Sequence, residues 1–377
     1  MSDNKLKLGF IGGAINSAVG YAHFSACKMD DKFQLVAGCF SRNENVSKET
    51  AKLYGVSSEH CYTDWKEMLQ KEKSNVDAIS ILTPTPTHKE MVLECLKRGI
   101  PVICEKTLAM NSGDAIEIQQ ELIKQNGFLA VTYNYTGYPM IRELKHIIKS
   151  GKLGKILHFQ AQMPQEGFIR INKDGQIPKP QEWRLQDKTI PTIHLDLCSH
   201  LHEIIHYLLD SKPISVISDQ ASDGWFKNII DNVTCLCRYE NDIQGQIWFS
   251  KSALGYRNGL SISVFGTEGS ATWVQTNPEE LIVARNDGTK EIIDRASNNS
   301  EIASKLRYTR FKAGHPTGFI EAFANIYFDI AKAINEYKET NTWNSNEIFG
   351  IDLATEGLLF LEAMVESSKI KSWKNIN

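Results

Sequence analysis

Apolar and polar positions follow two different rhythms along this chain. As far as Tyr133, short apolar runs alternate with stretches of helical period. Lys7 to Ile11, Phe33 to Phe40, Val76 to Leu82, Pro101 to Cys104 and Phe128 to Tyr133 read as strands. Ala18 to Met29, Val46 to Tyr54, Trp65 to Lys71, His88 to Lys97 and Gly113 to Gln125 read as helices between them. Strands alternating with helices predict a parallel sheet covered on both faces. The rhythm changes near Gly151. Lys155 to Gln162 alternates like a half-buried strand, and Ile193 to Leu209 reads as a helix. Strands then follow one another at Ser215 to Gln220, Asn232 to Tyr239, Gln244 to Ser250, Ser261 to Val264 and Leu281 to Ala284. That succession predicts an open, mostly antiparallel sheet. Helices at Phe319 to Lys338 and Glu347 to Ser368 close the chain, while Gly167 to Thr192 carries little periodicity and reads as a long loop.

Composition narrows the partners. The 377 residues suit two domains of ~150 residues each. The net charge is -3 and no long basic run occurs, so neither nucleic acid nor a membrane surface is an expected partner. Met1 to Lys7 is polar and lacks the apolar core of an export signal, and no apolar stretch approaches the ~18–20 residues of a membrane helix. The eight cysteines form no CxxC pair; Cys235 and Cys237 share one face of a strand and read as small packed hydrophobes. A reducing, cytoplasmic location is expected.

Candidate chemistry begins after the first strand. Gly9-Phe10-Ile11-Gly12-Gly13-Ala14-Ile15-Asn16-Ser17-Ala18-Val19-Gly20 leads into a helix, with a late last glycine, as if the loop were extended. Glycines there permit a tight turn and close approach of a pyrophosphate to a helix N-terminus. The fold class expected is an α/β N-terminal Rossmann domain plus an α+β C-terminal domain with an open, mostly antiparallel sheet. The expected ranges are 1–135 for dinucleotide binding and 136–377 for substrate binding and oligomerisation, with room for the last helices to pack back on the first domain. The second strand ends Cys39-Phe40-Ser41-Arg42, without the acidic residue that would bind an adenosine ribose and favour NAD. Ser41 and Arg42 suit a 2′-phosphate, which tips the expectation slightly toward NADP while leaving NAD open.

Two further motifs carry reactive groups. Glu105-Lys106 ends the strand from Pro101, where ligands bind in parallel sheets. Asp196 and His200 stand four apart, on one face of a helix. With these the chain resembles the Gfo/Idh/MocA family, named for glucose-fructose oxidoreductase and inositol dehydrogenase. The resemblance rests on the glycine loop followed by His23, Thr83-Pro84-Thr85 with His88, Glu105-Lys106 and Tyr133-Asn134-Tyr135. It continues through Gly151-Lys152-Leu153-Gly154, Trp183-Arg184, Asp196 with His200, and Glu366-Ser367-Ser368. Departures are Thr107 where the family has proline, Pro191-Thr192-Ile193-His194 for a glycine-rich lead-in, Cys198 for a glycine, and Thr136 for an arginine.

The resemblance implies an NAD(P)-dependent oxidoreductase acting on a secondary hydroxyl of a sugar or cyclitol. It implies cofactor contacts from Gly12, Gly13, Ala14, Ile15, Ser41, Arg42, Thr83, Pro84, Thr85, His88, Glu105, Lys106, Asn134, Trp183 and Arg184. Lys106, Asp196 and His200 are the implied catalytic residues. His200 is assigned the proton transfer and Lys106 the polarising of the reacting oxygen, an assignment that can be exchanged. Tyr135, Gln165, Arg170, Trp183 and His315, with the catalytic three, are candidates for a polyhydroxylated ring. Free sugar, inositol and nucleotide-linked sugar all stay open. The family implies a homodimer or homotetramer formed through the second sheet. A metal is not expected. His194, Asp196, His200, His202 and His206 are close in sequence, but His200 and His202 lie ~200° apart around a helix. Two other classes compete: a non-catalytic nucleotide-binding regulator, and an enzyme using tightly held NAD transiently for elimination or glycoside cleavage.

Overall fold

The computed structural model describes residues 5–376; residues 1–4 and 377, which the expected domain ranges include, lie outside the described residues. In chain order the elements begin β1 (Leu6–Gly12), α1 (Gly20–Met29), β2 (Phe33–Cys39), α2 (Glu44–Tyr54), α3 (Trp65–Glu72), β3 (Ala78–Leu82), α4 (His88–Lys97), β4 (Val102–Glu105), α5 (Ser112–Lys124) and β5 (Leu129–Thr132). They continue with α6 (Pro139–Lys149), β6 (Ile156–Pro164), α7 (Ser199–Leu209), β7 (Pro213–Ala221), β8 (Asn232–Tyr239), β9 (Gln244–Ser250) and β10 (Ser261–Gly266). The last are β11 (Gly269–Val274), β12 (Asn277–Arg285), β13 (Lys290–Ile293), α8 (Phe319–Thr340), α9 (Ile351–Ile370) and β14 (Lys374–Asn375). Packing divides the chain into two compact units, Met1–Gly137 with Gly318–Thr355, and Tyr138–Thr317 with Glu356–Asn377.

The first unit holds a five-stranded parallel sheet in the order β2-β1-β3-β4-β5. Every residue of β3 and β4 is buried, as strands with helices on both faces must be. An isolated parallel bridge between Gly38 and Cys61 extends the sheet beyond β2. The sheet order turns back between β1 and β3, which opens a crevice at the carboxyl ends of these strands. Asn43, Asp64 and Asn111 cap α2, α3 and α5 through side-chain oxygens that accept backbone N–H groups. Gly318–Thr355, which carries α8 and the start of α9, belongs to the first unit. The cause is aromatic packing: Phe323 and Tyr327 of α8 meet His23 of α1, and Tyr327 also meets Phe33 of β2.

The second unit holds nine strands in the order β13-β12-β11-β10-β6-β9-β8-β7-β14, antiparallel throughout except for the β6–β9 pair. β8 shows the alternation plainly: Val233, Cys235, Cys237 and Tyr239 are buried while Thr234, Leu236 and Arg238 are exposed. The buried face packs on α6, α7 and the later turns of α9, where Phe360 meets Tyr239 and Met364 O accepts the Ser218 hydroxyl. Sequence pattern alone does not assign α6, β11, β13 or β14. β11 opens on the small residues Gly269 to Thr272, and β13 and β14 are short, so pairing rather than composition defines them. The helix expected from Ile193 to Leu209 is broken into a π-helical turn, His194–Cys198, followed by α7. All eight cysteines are free thiols. Among the described residues no helix is long and apolar enough to cross a membrane.

His194 is fully buried in that turn, edge-on to Phe249 at 5.1 Å, and neither ring nitrogen has a hydrogen-bond partner among the described residues. Burial pushes its pKa down to about 3. Below the ordinary value of ~6.5 the unfolded chain takes up a proton that the folded chain does not, so stability falls as pH falls from ~6.5 toward about 3. At pH 5 the loss from this residue is roughly 2 kcal/mol. His194→Phe should flatten the fall of the unfolding temperature between pH 7 and 5; parallel pH curves for variant and parent would refute this role.

Candidate active site

In the first unit the strand ends bring the implied cofactor residues together. Gly12 and Gly13 adopt φ of 84° and 73°, a region closed to most side chains. A Cβ on Gly12 would lie 2.9 Å from the Leu82 carbonyl, and one on Gly20 would lie 2.1 Å from Gly13 O. Gly20 therefore lets α1 start hard against the glycine turn, the role of the last glycine in a dinucleotide loop. The intervening loop holds itself in place. Ser17 N donates to Ala14 O at 2.8 Å, Gly20 N donates to Ser17 Oγ at 2.8 Å, and Ile15 N donates to Thr50 Oγ1 at 3.2 Å. The N-cap residue Val19 offers no side-chain cap, so beyond Gly20 N, which Ser17 Oγ takes, the opening N–H groups of α1 face the loop where a ligand would sit. At the end of β2, Arg42 is exposed and Ser41 Oγ accepts the Asn43 N–H at 3.1 Å.

Thr83, Pro84 and Thr85 follow β3, and the Thr87 hydroxyl donates to Thr83 Oγ1 or to Pro84 O, each at 2.8 Å. The expected ligand contact of the His88 ring is corrected by its surroundings. The ring is fully buried, with Nδ1 2.9 Å from Thr107 O and Nε2 2.7 Å from Thr83 O, so it braces two loops and has no surface for a ligand. Burial holds its pKa below the ordinary value, although the two carbonyls draw it upward.

Glu105 is likewise committed to the protein. Thr132 Oγ1 donates to its Oε1 at 2.6 Å, and His23 Nε2 stands 2.9 Å from the same oxygen. The other ring nitrogen lies 2.8 Å from the Tyr327 hydroxyl, which is 3.2 Å from Ser80 Oγ. The donors run Ser80, Tyr327, His23, with Glu105 accepting at the end, a tautomer assigned from the network. Burial raises the Glu105 pKa, but His23, Thr132 and Lys106 outweigh it and hold the carboxyl below its ordinary value. Lys106 follows, half-buried, and its peptide bond to Thr107 is cis. Asn134, just beyond β5, is buried with its Nδ2 unpartnered among the described residues. A buried amide donor without a partner is costly unless a ligand accepts from it. Tyr135 is buried against Phe319 at 6.2 Å.

In the second unit Asp196 lies in the π-helical turn and His200 in the first turn of α7, buried. The Asp196 carboxylate is gripped by two cations, Arg184 and Lys251, both on Oδ2. The Arg184 guanidinium also covers the Trp183 ring at 4.8 Å, and Trp183 Nε1 donates to Gln181 Oε1 at 2.9 Å. Asp187 ties down the rest of this loop by accepting Thr192 N and Ile230 N, each at 2.8 Å. Gln165 Nε2 donates to Asn258 Oδ1 at 3.2 Å. Trp183, Arg184, Asp196 and His200 thus gather, while two candidates are engaged elsewhere. Arg170 is exposed and pairs with Glu166 at 3.4 Å, and His315 is exposed against Phe311 at 4.6 Å. Lys251 and Asp187 were not among the candidates: in sequence each is an ordinary charged residue after a strand or within a loop. Among the described residues no group of three or more His, Cys, Asp or Glu side chains is placed to hold a metal ion. His202 and His206 instead face Glu356, at 3.4 and 3.2 Å.

Both halves of the chain match known families. A family model described as the oxidoreductase family, NAD-binding Rossmann fold, matches residues 6–133. A second, described as the GFO/IDH/MocA C-terminal domain, matches residues 141–272. The uncharacterized oxidoreductase YfiI of Bacillus subtilis is 29% identical over 96% of this chain and 94% of its own length. A levoglucosan dehydrogenase of Pseudarthrobacter phenanthrenivorans is 24% identical over 74% of this chain and 76% of its own. An inositol dehydrogenase homolog of Azotobacter vinelandii, solved with NADH and myo-inositol, has the same fold. Its TM-score is 0.88 at 24% identity, over 99% of this chain and 98% of that one.

The late glycine is open to a direct check. Gly20→Ala should weaken binding of reduced dinucleotide by about tenfold or more in a fluorescence titration, because the added methyl meets Gly13 O. An unchanged affinity would remove Gly20 from the loop's function.

Proposed function

The chain belongs to the GFO/IDH/MocA oxidoreductase family, and on that premise we propose that it moves a hydride between a nicotinamide and a secondary hydroxyl of a sugar or cyclitol. The observation that carries this reading is the retained set Lys106, Asp196 and His200, with Asp196 ion-paired in the turn that opens α7. Two relatives support the substrate class, one named for levoglucosan and one solved with myo-inositol. When bound, the nicotinamide supplies the hydride acceptor. The glycine loop fits the pyrophosphate, and the Asn134 amide fits an acceptor on the cofactor.

His200 takes the hydroxyl proton in the oxidative direction and returns it in the reductive one, because imidazole titrates nearest neutral pH. Lys106 donates a hydrogen bond to the reacting oxygen and stabilises the negative charge that grows there. Asp196, an acceptor between two cations, orients the ring through a neighbouring hydroxyl. Trp183 supplies an apolar wall and Gln165 a polar contact. NADP is a second reading for the cofactor, favoured by Ser41 and Arg42 at a strand end without a carboxylate. Copies associate, in this reading, through the outer face of the nine-stranded sheet, where Leu236, Ile282 and Ile292 are exposed.

The test is absorbance of reduced nicotinamide with NAD+ and NADP+ in parallel, over inositols, aldoses, anhydrosugars and nucleotide sugars. Turnover of one substrate group is expected, and Lys106→Ala and His200→Ala should each lower kcat by about 10²–10⁴-fold while cofactor affinity holds. Silence across the panel with cofactor binding intact would favour the regulator or the transient-oxidation enzyme. Equal loss of cofactor binding in both variants would overturn the assigned roles.

A further inference from the structure

We infer that Lys251 is a positioning residue for the reaction, acting through Asp196. This rests on the proposed dehydrogenase reading and adds to it a residue outside the motifs that carry the family resemblance. Lys251 directly follows β9, and its side chain is only 8% exposed. Its backbone is held on both sides: Lys251 N donates to Asp231 O at 2.7 Å, and Phe168 N donates to Lys251 O at 2.8 Å. Asp231 is itself fixed, accepting from Asp223 N at 2.9 Å, Gly224 N at 2.7 Å and the Ser252 hydroxyl at 3.1 Å. The ammonium lies 5.1 Å from the Phe168 ring centroid and meets Asp196 Oδ2.

An ammonium this far from water is tolerated only beside a compensating anion, and the reverse holds for Asp196, 12% exposed. Arg184 reaches the same oxygen from the long loop. Two cations of different origin, one borne by the sheet and one by a loop, thus converge on one carboxylate oxygen. They fix the rotation of the carboxylate and place two positive charges against it. Asp196 then serves as an oriented acceptor and not as a proton carrier, and proton transfer falls to His200 or Lys106.

The test is a double-mutant cycle of Lys251→Met and Asp196→Asn, with Lys251→Arg as the conservative variant and Lys251→Gln in place of Lys251→Met should that variant not fold. K251M should lower kcat by about 100-fold, the scale of misplacing a group by about an ångström, with dinucleotide affinity unchanged. K251R should recover most of that loss. Because the lysine acts through the aspartate, the double variant should be no slower than D196N alone. Unfolding temperatures give a readout independent of any substrate. D196N should lower the value by stranding the buried Lys251 beside the half-buried Arg184, and adding K251M should recover part of it. Multiplying kinetic effects, or K251M turnover within twofold of the parent, would overturn the inference. Absence of turnover in the parent would instead defeat the dehydrogenase reading, while the thermal cycle still reports on the pairing.

Discussion

The first unit depends on one buried carboxylate. Glu105 ends β4 inside a parallel sheet, where an ionised carboxyl without partners would cost several kcal/mol. Thr132 and His23 supply hydrogen bonds, and Tyr327 and Ser80 complete the chain behind His23. These residues come from β5, α1, α8 and β3, so one requirement for hydrogen bonds ties four elements to the strand end that presents Lys106. It also gives a reason for α8 to return to the first unit after the chain has built a second sheet. His88 does similar work next door, packed between the loops after β3 and β4 with one of the carbonyls Thr83 O and Thr107 O accepting its ring N–H. The groups facing a ligand are few because most polar groups here are occupied with keeping those few in place.

The second unit solves the complementary problem by ion pairing. Asp196 is set in a π-helical turn rather than the regular helix its spacing suggests, and such turns recur at functional sites. The turn changes how side chains project just before α7, where His200 lies. Arg184 and Lys251 then fix the carboxylate from two directions. Breaking a buried pair of this kind is far more costly than never having made it, which makes the arrangement rigid rather than especially stabilising.

Much of this was legible in the order of residues. All five parallel strands were, because burial on both faces leaves continuous apolar runs such as Ala78–Leu82. The late glycine at position 20 was also legible, and its backbone contact with Gly13 explains why nothing larger serves there. What escaped was what depends on partners. β11, Gly269–Val274, is defined by its pairing with β10 and β12 rather than by a strand pattern of its own. Lys251 carries no motif of its own, and only the fold brings it to Asp196, 55 positions away in sequence. His88 and Glu105 were expected as cofactor contacts, and only burial and hydrogen-bond partners show that their polar atoms are engaged within the protein.

The most direct measurement follows a labelled hydride. The enzyme would be incubated with oxidised dinucleotide and the panel substrate it turns over, deuterated at one ring carbon at a time, and the recovered cofactor read by NMR. The account predicts deuterium at nicotinamide C4 from a single carbon, bound to the hydroxyl that is oxidised. Consumption of the substrate without deuterium in the recovered cofactor would contradict it.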